Sequence, residues 1–539
     1  MYQITLSDIM KDIGVRKHPD YFSGIKVKHK PMPHQLEMMR IYTLSTRYLD
    51  AAQPGCGKTF PAHVHGILMA SLGNKVVYTM PPKLIDQFEE EMHDYFIGIG
   101  HYLKMGKLNV PAAKKRQLVE QWDKEGWPDI LFMSYDGYRE FNDVNKAKKI
   151  GANQWYYQDG TRYDEEKGGQ AYTKNGRIIS KRGTAENDKH LLLNKKGYNV
   201  FFFDEAHALC GLNSIISQSV DETAKGNTAI YLMTGTPVPT VISDAYGIIR
   251  LINPYAYSSR SSFERQHIVY RQQQITVKGR ARMIRIPSSF VNVEKIHQAL
   301  YENARRIQKR DIIKMPDPLI TDVKVKLTGA HSKLYKDIMR DHFALVGDTI
   351  LSPENQQQAR HMSLQIISCP TQFDPDISME NELFDRTKDL VETIDPSKNK
   401  IVVFAYYRTA IEFLKEKFSD LEPAVLYGGT TNATEEVNRF KKDDNCRMII
   451  LNWMSGGAGL NLQVASHIIF YECPTSPKDA TQAVARCDRT GQQNIVNVYF
   501  MRVLGTLSDK NFRKLLEAEE DVNKVVQDDL DLLHKQLRK

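Results

Sequence analysis

Ala51-Ala-Gln-Pro-Gly-Cys-Gly-Lys-Thr-Phe60 decides how this chain is read. An apolar run (Ile41, Tyr42, Leu44, Tyr48, Leu49) precedes it, and a segment able to be helical, His63 to Ala70, follows. Ala52 to Thr59 fits the spacing G-x-x-x-x-G-K-[ST], with Ala52 in place of the first glycine. In the loop Pro54-Gly55-Cys56-Gly57 the two glycines can take positive φ and turn successive N–H groups inward, making a cradle for phosphate oxygens. A helix starting at its end adds free amides and a positive dipole end. Lys58 is placed to reach the β- and γ-phosphates of a nucleotide, and Thr59 to offer its hydroxyl to Mg²⁺.

The chain around this loop has 539 residues, which suggests about three or four structural units. Its hydrophobic (41%) and charged (26%) shares are those of a globular protein. A net charge of +8 permits a polyanionic partner without requiring one. Six scattered cysteines lack any C-x-x-C pair, so neither structural zinc nor a disulfide framework is expected, and a reducing compartment is. The N-terminus has no basic and apolar leader, and no apolar run approaches the length of a membrane span.

Short apolar strands alternate with helical stretches on both sides of the loop. Lys75 to Met80, Asp129 to Ser134, Tyr198 to Phe203 and Thr228 to Met233 read as strands of a parallel sheet buried on both faces. The third runs into Asp204-Glu-Ala-His207 and the fourth into Thr234-Gly-Thr-Pro237. Ligands of such sheets sit beyond the C-terminal strand ends, where these polar groups lie. Asp204 is placed to hold Mg²⁺ and Glu205 to orient an attacking water. Upstream, the carboxamide of Gln35 could read an adenine edge, although a helix-start glutamine is commonly just exposed.

Between the second and third strands, roughly 146–196 holds twelve Lys/Arg against six Asp/Glu, interleaved with Trp155, Tyr156, Tyr157, Tyr163 and Tyr172. It reads either as a nucleic-acid-contacting insert or as a solvated surface hairpin, with Asn175-Gly176 as a type I′ turn. From 255 to 375 the pattern turns polar and helical, Glu294 to Arg310 being its clearest helix. The cations Arg305, Arg306, Lys309 and Arg310 at its end read as a solvated face. A second α/β unit follows over 376–505, and after it a charged helix, capped by Ser508, is expected over 506–539.

The second unit carries Asn452-Trp-Met-Ser-Gly-Gly-Ala-Gly-Leu-Asn-Leu462 and Gln482-Ala-Val-Ala-Arg-Cys-Asp-Arg-Thr-Gly-Gln492. Arg486 and Arg489, three apart on a helix, could both project toward a phosphate. The phosphate loop, DEAH, TGTP, GGAGLNL and QAVARCDRTGQ, in this order, resemble the motifs of helicase superfamily two, and specifically its Swi/Snf-related branch of DNA translocases. The resemblance spans about residues 33–509. It implies two RecA-like parallel-sheet lobes: 1–254 with its insert, and 376–505. A helical protrusion and linker would join them, and a C-terminal brace helix would follow. It implies ATP and Mg²⁺ in the cleft: Lys58, Thr59, Asp204 and Glu205 from the first lobe, Arg486 and Arg489 from the second, and Gln35 as the adenine reader. Gly457 and Gly459 would place a motif loop near both nucleotide and nucleic acid, and His207, Thr234 and Gln482 would couple the halves. Lys83, Ser134, Tyr135, Thr430 and Ser455 align with positions that track a DNA backbone. Cys487-Asp488 departs from the branch, where a small residue and a histidine are usual, as do Trp453 and Met454. These departures fit a minimal viral or bacterial member acting in a cytoplasm.

The function expected is therefore a DNA-dependent ATPase stepping along duplex DNA. The alternatives are a strand-separating or branch-migrating helicase, and an ATP-gated clamp that binds without moving.

Overall fold

A computed structural model describes residues 4–141, 171–172, 178–179, 192–212, 214–277, 280–312, 316–346, 349–373, 381–430, 432–453, 460–489 and 491–526. The chain divides into two compact units. The first comprises 1–49, 59–233 and 250–254; the second comprises 50–58, 234–249 and 255–539.

The first unit is built on a sheet of β1 (Arg47–Asp50), β2 (Lys75–Met80), β3 (Met105–Lys107), β4 (Ile130–Ser134), β5 (Tyr198–Asp204) and β6 (Ala229–Met233). The spatial order is β1-β6-β5-β2-β4-β3, and the pairs from β6 through to β3 are parallel. Register stacks Phe132, Tyr78, Phe202 and Tyr231 in one row across four strands, with ring centroids 5.3, 4.6 and 4.9 Å apart. Stacked aromatics of this kind contribute about 0.5–1.5 kcal/mol per pair beyond their burial. The helix Thr59–Ser71 packs on this sheet and is buried along most of its length, His63 and His65 included. Its Gly66 is required by Tyr78: a Cβ there would lie 2.0 Å from the phenol oxygen, which donates to Ala62 O at 2.8 Å.

In the second unit six parallel strands, β9 (Leu319–Val325), β10 (Ile401–Phe404), β11 (Ala424–Leu426), β12 (Met448–Leu451), β13 (His467–Phe470) and β14 (Asn497–Val503), take the order β9-β14-β13-β10-β12-β11. A second aromatic row, Phe404, Phe470 and Phe500, crosses its centre at 5.2 and 4.6 Å. Arg502 is held by Asp322 and Asp509, each at 2.8 Å. The remaining long strands, β7 (Ile268–Val277) and β8 (Arg280–Phe290), form a separate two-stranded antiparallel ribbon.

Three expectations need correction. The 255–375 block is helical over Gly329–Asp341 and Gln356–Ser368, but it also supplies the ribbon and the edge strand β9. The ribbon has no sustained period-2 alternation (Arg271 to Gln274 are polar in a row), so no strand signal marked it and composition made it look helical. The helix expected over Glu294 to Arg310 is only Val293–Tyr301, followed by extended chain at Ala304–Arg305 and a short turn at Lys309–Ile312. The last helix runs Leu507–Val526, and its first turn is closed by Thr506, whose Oγ1 accepts from Ser508 N at 3.1 Å, rather than by Ser508. Residues beyond Val526 lie outside the described residues. Most of the 146–196 insert does too; within it Ala171–Tyr172 pairs antiparallel with Ile178–Ile179.

Candidate nucleotide site

The phosphate loop has the backbone its glycines foretold. Gly55 and Gly57 take φ of +87° and +74°, and the helix begins at Thr59. Lys58 Nζ lies across the loop, donating to Ala52 O at 2.8 Å and Gln53 O at 3.3 Å. Buried Asp50 accepts from Ala52 N at 3.1 Å, and its carbonyl accepts from Thr234 N at 3.0 Å, which seats the TGTP turn beside the loop. Thr234 is 1% exposed, and its Oγ1 accepts from Thr236 N. Gly235 is obligatory there, because a Cβ would come 2.5 Å from Pro54 Cδ.

In the first unit, Asp204 ends β5 and Glu205 follows in the left-handed region, φ 51° and ψ 45°. A non-glycine residue there costs on the order of 1–3 kcal/mol and persists where the surroundings impose it, which is common at functional positions. Glu205 Oε2 lies 3.2 Å from His207 Nδ1. Tyr135 is buried and donates its hydroxyl to Asp204 O at 2.8 Å; burial first, then the Asp204 and Glu205 charges, push its phenol pKa well up. Its side chain thus supports the acidic turn, whereas it was expected to face a DNA backbone. Ser134 Oγ accepts from Gly137 N at 3.0 Å, while Lys83 is exposed. Gln35 uses its Oε1 to accept Met32 N at 2.9 Å at the start of its helix. Thr59 and Asp204 offer hard oxygen donors of the kind Mg²⁺ takes.

The second unit adds cations that sequence reasoning assigned to solvent. Arg306 Nη1 donates to Ala51 O and, at 2.8 Å, to Gly235 O, clamping the two turns together. Main-chain bonds from Ala51 N to Arg305 O and from Gln53 N to Ile307 O lay 305–307 along the loop's entry. Lys309, 9% exposed, forms an ion pair with Asp488 Oδ2 at 2.6 Å, and its main-chain N donates to Gln53 Oε1 at 3.0 Å. Burial raises the Cys56 thiol pKa, while Lys58, Lys309 and Arg306 pull it back, so three cations converge on one loop. Apolar Ile307 between those cations, which the structure buries, was the available signal that this face is not solvated.

Within the arginine motif, Asp488 is tied through Lys309 to the phosphate loop. Arg486 is 7% exposed, with its guanidinium 5.5 Å from the Phe404 ring centroid and Nη2 donating to Trp453 O at 2.9 Å. Burial lowers its pKa to about 10, and its Nη1 has no hydrogen-bond partner among the described residues. Arg489 donates to Leu460 O at 3.3 Å. Gln482 lies on the helix Pro477–Val484, and Thr430 Oγ1 accepts from Tyr427 N at 3.1 Å. Ser455, Gly457 and Gly459 lie outside the described residues. A cavity of about 130 Å³ opens beside the loop, bounded by Gln53, Arg306, Lys309 and Asp488 and, from the last helix, by Val522 and Val526.

Two parallel-sheet lobes with a phosphate loop and an acidic strand end define a helicase-like class. Residues 32–374 match the SNF2-related domain, and residues 384–491 match the helicase conserved C-terminal domain. The chain belongs to the SNF2-related family. An uncharacterized ATP-dependent helicase of Bacillus subtilis is 20% identical over 99% of this chain and 86% of its own length. Another, from Mycoplasma genitalium, is 21% identical over 64% of this chain and 33% of its own length. An ISWI chromatin-remodeling complex ATPase of Saccharomyces cerevisiae is 22% identical over 57% and 28%. The chain spans a third or less of the latter two relatives. A Sulfolobus solfataricus SWI2/SNF2 ATPase core, solved in complex with dsDNA, aligns over 95% of this chain and 96% of that one. Its identity is 18% and its TM-score of 0.36 is too low to support an argument. Among the described residues no helix is long and apolar enough to cross a membrane.

Proposed function

We propose that this chain hydrolyses ATP in response to duplex DNA and uses the cycle to step along the DNA backbone. The observation that carries the reading is the pair of features at two strand ends: a phosphate loop with both glycines at positive φ ahead of Lys58, and Glu205 in the left-handed region after Asp204. Lys58 and the loop amides bind the β- and γ-phosphates. Thr59 and Asp204 would hold Mg²⁺, which would supply charge neutralisation at the phosphates. Glu205, paired with His207, orients the attacking water. Arg489 and Arg486 are the cations for charge developing on the γ-phosphate, a role worth roughly 10³–10⁵ in rate. Lys83 and Thr430 contact DNA phosphates, which makes binding independent of sequence and sensitive to salt.

The test is ATP turnover measured side by side with duplex, single-stranded, forked and four-way-junction DNA and with RNA. Duplex stimulation is expected, with Lys58→Ala and Glu205→Gln abolishing turnover while DNA binding stays measurable. Unchanged turnover in either variant removes the site assignment, and stimulation by RNA alone removes the DNA reading. Strand displacement in the forked arm would place the chain among strand-separating helicases instead.

A further inference from the structure

The β7–β8 ribbon has no role in the site described above. Its 23 residues, Ile268 to Phe290, include Arg271, Lys278, Arg280, Arg282 and Arg285 and not one Asp or Glu, in a chain where 65 of 539 residues are acidic. Among the described residues the two strands pair only with each other, and ten registered pairs give a ribbon roughly 30 Å long at about 3.3 Å per residue.

Register places cations on both faces. Arg271 opposes Ile286 and Arg282 opposes Ile275 on one face; Arg285 opposes Gln272 on the other, next to Gln274. Arg271, Gln272, Gln273, Gln274, Arg282 and Arg285 are all exposed, so each face presents polar side chains to solvent. The root, in contrast, is fixed. His267 is fully buried and Ile268 8% exposed; Val291 N donates to His267 O at 2.9 Å, and Asn292 Nδ2 donates to Gln266 O at 2.9 Å. The Arg285 guanidinium lies 4.6 Å from the Tyr270 ring centroid, a cation–π contact within the ribbon. An exposed acid-free arm on a rigid base is unlike an ordinary surface hairpin, where acids and bases mix to hold local charge near zero.

We propose that this ribbon is a nucleic-acid contact: it enters the major groove of duplex DNA, with Arg271, Arg282 and Arg285 against phosphates on the two groove walls. The inference rests on the DNA-dependent reading above and adds to it a contact surface. The major groove, about 12 Å wide, admits a two-stranded ribbon. Cations on both faces suit a groove, which presents phosphates on either side, better than a flat acidic surface, which would engage only one. The exposed Gln272, Gln273 and Gln274 can meet base edges or bridging water without demanding a sequence.

The experiment is fluorescence anisotropy of a labelled duplex titrated with the full chain between about 50 and about 200 mM salt. Removing one arginine–phosphate interaction flattens the slope of log affinity against log salt by about 0.9. Arg271→Gln/Arg282→Gln/Arg285→Gln is expected to flatten it by about 2.7, and the corresponding triple lysine variant to keep most of it. Should the glutamine triple fail to fold by circular dichroism, the single variant Arg282→Gln still reads out as a change near 0.9. A folded glutamine variant with the parent slope overturns the proposal. So does equal loss in the lysine and glutamine variants, which marks a structural role. If the unsubstituted chain fails to bind duplex at all, it is the DNA reading itself that falls.

Discussion

Lys309 shows what a single position can conceal. Its ammonium is committed to Asp488, and both side chains are mostly screened from water, at 11% and 16% exposure. Removing one member of such a pair strands the other charge, which is costlier than the pair's own net contribution. Lys309→Met is therefore expected to destabilise the chain by about 2–3 kcal/mol. Asp488→Asn strands the Lys309 ammonium as well but leaves it an amide oxygen as acceptor, so it should cost less, about 1–2 kcal/mol. Denaturant unfolding of the two variants checks the order, and equal costs would refute it. His63 makes a second case. It is fully buried, neither ring nitrogen has a partner among the described residues, and burial pushes its pKa down to about 3; His65 is lowered likewise, though it shares a 2.9 Å bond with Tyr231. The folded state holds these imidazoles neutral, while the unfolded chain protonates them below about pH 6.5. Their contribution is thus fully present above that value and declines as pH falls toward 3. His63→Leu should flatten the fall in Tm between pH 7 and pH 5; parallel Tm curves for parent and variant would contradict this.

At the scale of elements, close approach sets the rules. Alanine is the better helix former by about 1 kcal/mol, yet Gly66→Ala is expected to destabilise the helix Thr59–Ser71 by about 1–3 kcal/mol, because the new methyl meets Tyr78 Oη. Adding Tyr78→Phe should recover part of that loss in thermal unfolding; no recovery would mean the ring carbons set the clash. The last helix illustrates a cap that sequence misplaced by two positions. Thr506 and Ser508 are both good caps, and only the observed bonds, Thr506 Oγ1 to Val503 O at 2.6 Å and from Ser508 N, choose between them. Thr506→Ala should accordingly cost about 1 kcal/mol of stability and Ser508→Ala markedly less. Buried strands were legible because continuous runs such as Val200-Phe-Phe-Phe203 have few other uses. The β7–β8 ribbon was not, since its pairing is decided by cross-strand bonds and not by burial.

For the whole molecule, the family follows from motif order, and the order was visible before any coordinates. The ATPase proposed above should lose ATP turnover when divalent cation is chelated while keeping salt-sensitive duplex binding. Turnover that survives chelation would remove the roles proposed for Thr59 and Asp204. The charge layout bears on the same behaviour. The insert carries a surplus of six and the ribbon a surplus of five, so together they exceed the net +8 and leave the remainder slightly acidic. The net positive charge of the sequence is therefore concentrated in these two stretches and not spread over the rest of the chain.

By itself the sequence determined the two parallel sheets, the phosphate loop and the acidic turn. Each depends on local rules: apolar runs, glycines that permit positive φ, and carboxylates at a strand end. Only the tertiary structure decided that Arg306 and Lys309 belong to the loop, that Tyr135 faces Asp204, and that Asp488 engages a cation. Those bonds join residues from about 70 to 255 positions apart, and a partner at that distance leaves no periodic or compositional trace for a sequence to display.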